Sequence, residues 1–302
     1  MGRRSLEIRL SRSRGTCWKP LAILAGLQQV DASEVAMTSE DLKAAAVHYA
    51  RDGFLSPVDI ISAEQAAAHR ARLEEAEAEV GPLHYKTKVH TILRSPLELA
   101  TAPRVLDLVE AMIGPDILLY NVTYIVKEPG SGAHVSWHQD LTYWGFDGDA
   151  QVSMWLALTP ATAESGCMRM VPGSHRQGRL RHETTEDASN VLFQGQTVAS
   201  VPEEQAVLCD LAPGQASFHH GWTLHASMSN NGRERRIGLN VQYIAPAMRQ
   251  TKHAGDSAML VRGQDRYQHF APDLPAIDDL EPAALAHQQK LERQYQEIAG
   301  NA

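Results

Sequence analysis

The hydrophobic pattern of this chain changes character about a third of the way along. The first part reads as helix. "TSEDLKAAAVHYARDG" has Ser39 or Thr38 as N-cap and Gly53 as its stop. "SAEQAAAHRARLEEAEAEVG" opens on a Ser62–Gln65 capping box and ends at Gly81. Its acidic cluster, Glu74, Glu75, Glu77 and Glu79, reads as a solvated face. Residues 96–113 give one or two further helices, closed by Gly114-Pro115.

Beyond that point the apolar runs become short, rich in β-branched and aromatic residues, and bounded by Pro/Gly turns: "ILLYNVTYIVKEPG", "QVSMWLALTP", "CMRMVPGS", "QAVLCDLAPG", "QASFHHG" and "RRIGLNVQYIAP". Closely spaced strands of this kind predict a sandwich or barrel rather than βαβ repeats. A closing helix is expected over about 282–299. The expected fold is α+β, with helices flanking an antiparallel β core over about 117–246.

Composition adjusts this picture at five places. The 302 residues, 43% hydrophobic and 21% charged, suit a globular protein with one substantial core. Net charge is -8 and no basic stripe is interleaved with aromatics, which argues against nucleic acid as a partner. No apolar run reaches the roughly 18 residues of a membrane span. Cys17, Cys167 and Cys209 are too scattered for a disulfide framework and suit a reducing, cytoplasmic location. Residues 1–36 carry six basic side chains (Arg3, Arg4, Arg9, Arg12, Arg14 and Lys19) against Glu7, Asp31 and Glu34. They read as a disordered extension, and the domain is expected over 37–302.

The chemistry concentrates in "HVSWHQDLTYWG", residues 134–145. His138 and Asp140, two apart on a strand, point to one face and can share a metal. Such pairs arise by chance in a chain with 14 histidines, so a third ligand is required. "FHHGWTLHASMSNNGRERRIGLNVQYI" offers His219, His220 and His225. Two His and one carboxylate on one octahedral face leave three positions open, the Fe(II) facial-triad arrangement. A 2-oxoacid cosubstrate would also need a fixed cation. Arg236, eleven residues beyond His225 across the turn "SNNG", is placed to supply a two-pronged one.

His138-Gln139-Asp140, "ESGCMRMVPGSH", His225 and Arg236 together resemble the phytanoyl-CoA dioxygenase family of Fe(II)/2-oxoglutarate oxygenases, over about residues 45–250. The resemblance implies a double-stranded β-helix (a jelly-roll, cupin-like core) with flanking helices. It implies His138, Asp140 and His225 as the metal and catalytic residues. Lys88, Thr123, Trp155, Ser227 and Arg236 then become 2-oxoglutarate contacts. It further implies Fe(II) as cofactor, 2-oxoglutarate and O2 as cosubstrates, and release of succinate and CO2. Halogenating relatives replace the carboxylate with a small residue, so Asp140 implies hydroxylation.

Strand alternation carries the reading onto the walls. If Arg236 points inward, so do Asn240 and Gln242; if Thr123 does, so does Asn121. Tyr143 and Trp144 are expected at the mouth. Asn121, Tyr143, Trp144 and Asn240 are the candidate substrate residues, for a small polar metabolite that is amino-acid-like, an aminophosphonate or a natural-product intermediate. Specificity is expected in "TYWGFDGDAQ", in 176–200 and in 250–275. The rivals are a cupin-like metal oxygenase that does not use 2-oxoglutarate, and a non-catalytic metal-binding jelly roll. Oligomeric state is not encoded in these patterns.

Overall fold

The computed structural model describes residues 37–192 and 195–300, so the expected extension over 1–36, with Cys17, lies outside the described residues. Helix α1 (Ser39–Asp52) starts where Thr38 and Asp41 form a reciprocal capping box, satisfying two amides that a helix start leaves open. It stops at Gly53, whose φ of +80° is left-handed and whose N–H returns to Tyr49 O. Strand β1 (Phe54–Asp59) and helix α2 (Ala63–Val80) follow, the latter opened by the expected Ser62–Gln65 box. The 96–113 region divides into α3 (Arg94–Ala100) and α4 (Pro103–Ile113), with Pro103 in the first turn of the second.

The strands continue with β2 (Ile117–Lys127), β3 (Val135–His138), one helical turn α5 (Leu141–Trp144), β4 (Gln151–Ala157) and β5 (Met168–Met170). Next come β6 (Glu183–Thr184), β7 (Gln196–Thr197), β8 (Val207–Cys209), β9 (Gln215–His219), β10 (His225–Ser227) and β11 (Arg236–Ile244). β12 (Ser257–Arg262), β13 (Ala271–Pro272) and helix α6 (Pro282–Gly300) complete the order. The larger sheet has the order β1-β9-β4-β11-β2-β12-β13, the smaller β3-β10-β5-β8, and β6 pairs with β7. All pairings are antiparallel except β12 with β13. This is a mixed α/β fold built on large antiparallel sheets.

The large sheet extends beyond the expected 117–246 at both ends. β1 escapes a sequence reading because Pro57 lies inside it; a proline is tolerated there because β1 is an edge strand whose register breaks between Leu55 and Val58. The central strands β2 and β4 are buried along nearly their whole length, as sheet strands covered on both faces must be. Helix α4 packs on β2 and β4, and Tyr243 donates to Ala100 O at 2.8 Å, tying β11 to α3. Val241, Leu239 and Ile237 are buried, and Asn240 and Gln242 alternate with them toward the interior between the sheets.

One surface reading needs correction: Glu77 is not merely solvated. Arg235 bridges Glu77 at 2.9 Å and Glu128 at 2.8 Å, fastening α2 to the start of β11. Cys167 and Cys209 are buried free thiols. Among the described residues no helix is long and apolar enough to cross a membrane.

Candidate metal centre and its cavity

Strand β3 delivers His138 and stops. Asp140 has helical backbone angles (φ -57°, ψ -45°) and heads the α5 turn. The expected placement of both residues on one strand face gives way to a strand-to-helix corner, which still aims both side chains at one point. Gln139 pins that corner. Its buried side chain donates to Gly178 O and Trp222 O, at 2.8 Å each, and accepts from the Leu180 amide at 2.7 Å.

Strand β10 runs antiparallel beside β3 with His225 opposite His138, and their ring centroids are 4.0 Å apart. His138 Nδ1 lies 2.8 Å from Ser136 O, and His225 Nδ1 lies 2.9 Å from Thr223 O. A carbonyl only accepts, so each ring carries its proton on Nδ1 and leaves an Nε2 lone pair free. Both Nε2 atoms face Asp140 Oδ1, at 3.4 and 3.6 Å. One donor atom from each of the three residues lies within 4.8 Å of the others.

Burial keeps His225 neutral, depressing its pKa well below the usual histidine range, and His138 beside it adds to this. Burial alone would raise the Asp140 carboxyl. The hydrogen bond from His219 Nε2 to Oδ2 is among the contacts that outweigh it and hold the group well below the usual carboxylate range. Two imidazoles with free Nε2 lone pairs and one carboxylate, buried and converging, suit a divalent metal that keeps open positions. Of the three later histidines, His225 joins this group. His220 turns away, accepting from the Trp222 amide. His219 takes another position, 3.2 Å from Asp140 Oδ2.

A cavity of about 340 Å³ opens from this centre between the sheets. Thr123, Trp155, Ser227, Arg236, Asn121, Tyr143, Trp144 and Asn240 all line it. Tyr143 and Trp144 are buried there rather than placed at an open mouth. Arg236 is 1% exposed, and its guanidinium lies over the Trp155 ring, 5.0 Å from the centroid. Gly238 makes this stacking possible: a Cβ there would meet the indole at 2.0 Å. One Arg236 nitrogen donates to Gly166 O, and its Nε is buried without a partner. No carboxylate among the described residues forms an ion pair with it. Burial lowers its pKa to about 10, which leaves it charged at neutral pH.

Lys88 is the exception and a correction. Its ammonium turns from the cavity and pairs with Asp273 at 2.8 Å, with Ser257 O at 2.6 Å. Both partners come from the 250–275 stretch, which was expected to read substrate and instead neutralises this lysine in the core. The 176–200 stretch does reach the cavity, through Val191 and Leu192.

Sequence reasoning missed several contributors. Lys127, 3% exposed, donates to Ser227 Oγ at 2.8 Å and Ser227 O at 3.1 Å. The alternation that selects Asn121 and Thr123 continues through Ile125 to Lys127, so the signal was present. Helix α6 supplies Tyr295, Gln296 and Ala299 to the wall, and Trp144 Nε1 donates to Tyr295 Oη at 2.9 Å. Nothing local in the sequence ties that distant helix to the site.

Comparison with known proteins agrees with this geometry. The profile of the family described as Phytanoyl-CoA dioxygenase (PhyH) matches residues 49–238. A probable alpha-ketoglutarate-dependent hypophosphite dioxygenase from Stutzerimonas stutzeri is 31% identical over 150 residues, 49% of this chain and 52% of that protein. The peroxisomal phytanoyl-CoA dioxygenase of Homo sapiens is 29% identical over 152 residues, 48% of this chain and 44% of that protein. The match thus spans about half the length of these curated relatives. The solved structure of a non-heme monooxygenase, ThoJ, superposes with a TM-score of 0.72 at 30% identity, covering 83% of this chain and 98% of that one. With the family profile spanning well over half of its residues and its distinctive polar groups gathered around one cavity, the chain belongs to the phytanoyl-CoA dioxygenase family.

Proposed function

We propose that this protein is a non-haem Fe(II)- and 2-oxoglutarate-dependent oxygenase, folded over residues 37–302 as one double-stranded β-helix domain with flanking helices. The observation that carries the reading is Arg236: a buried cation with no carboxylate partner among the described residues, lining the same cavity as the His138, Asp140 and His225 donors. Burying a guanidinium without a counter-ion is costly, and a dianionic cosubstrate resolves that cost.

His138, Asp140 and His225 would hold Fe(II). When bound, the metal and 2-oxoglutarate supply activation of O2, with oxidative decarboxylation to succinate and CO2 accompanying insertion of one oxygen atom into a substrate C–H bond. The chain's own groups orient the reactants. Arg236 donates to the far carboxylate of the cosubstrate. Ser227 lines the same cavity, with its Oγ 2.8 Å from Lys127 Nζ, and supplies a hydroxyl beside the far carboxylate. Thr123 adds a hydroxyl to the cavity lining, and the Trp155 ring lies against the guanidinium.

The walls favour one of the three expected substrate classes. No lysine and no second arginine is among the described lining residues, so a substrate carboxylate or phosphonate would lack a cationic partner once Arg236 is engaged. Val135, Val191, Leu192, Trp144 and Tyr295 offer an apolar and aromatic surface. Asn240 Oδ1, Gln242 Oε1 and the Tyr143 hydroxyl are buried with no partner. A neutral natural-product intermediate with an apolar body and hydroxyl or amide N–H groups fits these walls better than an amino acid or aminophosphonate. Stimulation of succinate release by L-proline or aminomethylphosphonate would overturn that choice.

The oxygenase reading itself is tested by anaerobic titration of the metal-free protein with Fe(II), then 2-oxoglutarate. Chelation of the metal by the 2-oxoacid gives a weak visible charge-transfer band. Iron binding without that band would favour a metal enzyme or binding module that does not use 2-oxoglutarate.

A further inference from the structure

Asp140 presents its two oxygens to different partners. Oδ1 faces the Nε2 atoms of His138 and His225. Oδ2 faces away from them, 3.1 Å from Ser153 Oγ and 3.2 Å from His219 Nε2. Ser153 and His219 are register partners on adjacent strands β4 and β9 of the larger sheet, so one rung of that ladder reaches across to the carboxylate. Both are essentially inaccessible, at 0% and 2% exposure. Ser153 Oγ accepts from Gln151 Nε2 at 2.9 Å, which directs its hydroxyl proton to Asp140. His219 Nε2 faces a carboxylate oxygen, which only accepts, so the ring proton sits on Nε2, while Nδ1 is buried without a partner. The two histidines of the metal group are acceptors at Nε2, and the third is a donor.

We propose that His219 and Ser153 are positioning residues that clamp Asp140 Oδ2 and so make this carboxylate a one-oxygen metal ligand. The inference rests on the oxygenase reading. Its consequence is a matter of counting coordination positions. Three single-atom ligands leave three octahedral positions, two for a chelating 2-oxoacid and one for O2. A carboxylate swung round to bind through both oxygens would occupy one of these, and the chelating cosubstrate would take the remaining two. With Oδ2 held by two hydrogen bonds, that swing is blocked and the O2 position stays open. Partners of this kind fix ligand orientation and typically alter metal affinity by about 10- to 100-fold when removed.

The test uses the full-length, metal-free protein and Fe(II) alone, titrated anaerobically by calorimetry, so that no turnover is involved. His219→Phe is expected to weaken Fe(II) binding by about 10- to 100-fold. His219→Gln places an amide N–H where Nε2–H stood and is expected to recover most of that loss. Ser153→Ala removes one of the two bonds and is expected to fall between the wild type and His219→Phe; it carries the same test should His219→Phe fail to fold. Equal affinity in wild type, Ser153→Ala and any folded His219→Phe would overturn the clamp. So would His219→Gln falling as far as His219→Phe, because His219 would then be a ligand itself or act through its ring. Absence of Fe(II) binding by the wild type would overturn the oxygenase reading, and this inference with it. Binding that ignores these substitutions overturns only the clamp.

Discussion

Lys127 and Arg236 are register partners across β2 and β11, 3% and 1% exposed, and neither forms an ion pair with a carboxylate among the described residues. Two basic side chains in adjacent buried positions cannot both carry their charge without cost, and Lys127 is the one that gives way. Burial first, and Arg236 second, push Lys127 down to about 6, so it is largely neutral at physiological pH. It then satisfies the Ser227 and Met228 carbonyls as an amine donor.

That depression has a measurable sign. An unfolded lysine keeps its proton up to its ordinary value of 10.5, whereas the folded one releases it near 6. Between those values the unfolded chain binds more protons, so this residue's contribution makes stability rise with pH across the window. Below about 6 both states are protonated and the cost is fully present. Thermal melting of the cofactor-free protein and of Lys127→Met, from pH 6 to 9, should show the wild type gaining on the variant as pH rises. A wild-type-minus-variant difference that is flat with pH would sink this account.

Arg236→Gln is expected to keep Fe(II) affinity and lose 2-oxoglutarate affinity. A hydrogen bond to a charged group contributes about 1.5–3 kcal/mol, which corresponds to roughly a 10- to 100-fold weaker cosubstrate constant. The charge-transfer titration reads this directly. Loss of iron binding in the same proportion would instead mean that Arg236 supports the metal group, not the cosubstrate.

Lys88 separates core from site. Asp273 is held well below the usual carboxylate range, burial opposing and Lys88 and His90 overcoming that opposition. Lys88→Met leaves that carboxylate buried with only His90, 3.7 Å away, beside it, and denaturant unfolding should show a loss of about 3–5 kcal/mol. Lys88→Met with Asp273→Leu removes both charges and should recover most of it. The KM for 2-oxoglutarate in the double variant should stay at the wild-type value; a large rise would return Lys88 to the cosubstrate site.

How much of this was legible in the sequence follows from how local each signal is. The Ser62 cap, Gly53 and a first cap at Ser39 or Thr38 depend on one or two residues, and the shared face of Asn121 with Thr123 and of Arg236 with Asn240 depends on a fixed period, so the sequence carries them. Edge strand β1 was hidden because Pro57 removes the pattern it would otherwise show. Lys88 and the His219 clamp were not legible because Asp273 and Asp140 reach them only through tertiary packing. Choosing His225 over His219 and His220 required the resemblance as well as spacing, since all three lie within seven residues. The strand-to-helix corner at Asp140 was hidden for a similar reason: what makes it is the side chain of Gln139, bonded to residues about forty and eighty positions away.

That corner gives the last prediction. Gln139 holds β3 to the loop at Gly178 and Leu180 and to Trp222, three residues before His225. Gln139→Ala leaves one amide and two carbonyls without this partner, at about 1–3 kcal/mol for a buried group left unsatisfied. The loss should not be confined to stability, because the same bonds set the angle between His138 and Asp140. Fe(II) affinity should fall in the folded variant, while Gln139→Glu, which keeps the Leu180 contact but repels the two carbonyls, should be worse than Ala at neutral pH and improve as the carboxyl is protonated. Measuring Fe(II) binding of both variants at pH 5.5 and 7.5, against the wild type's own pH dependence, decides it. Equal affinity for wild type and Gln139→Ala at both pH values would mean that His138 and Asp140 hold their angle without the rivet.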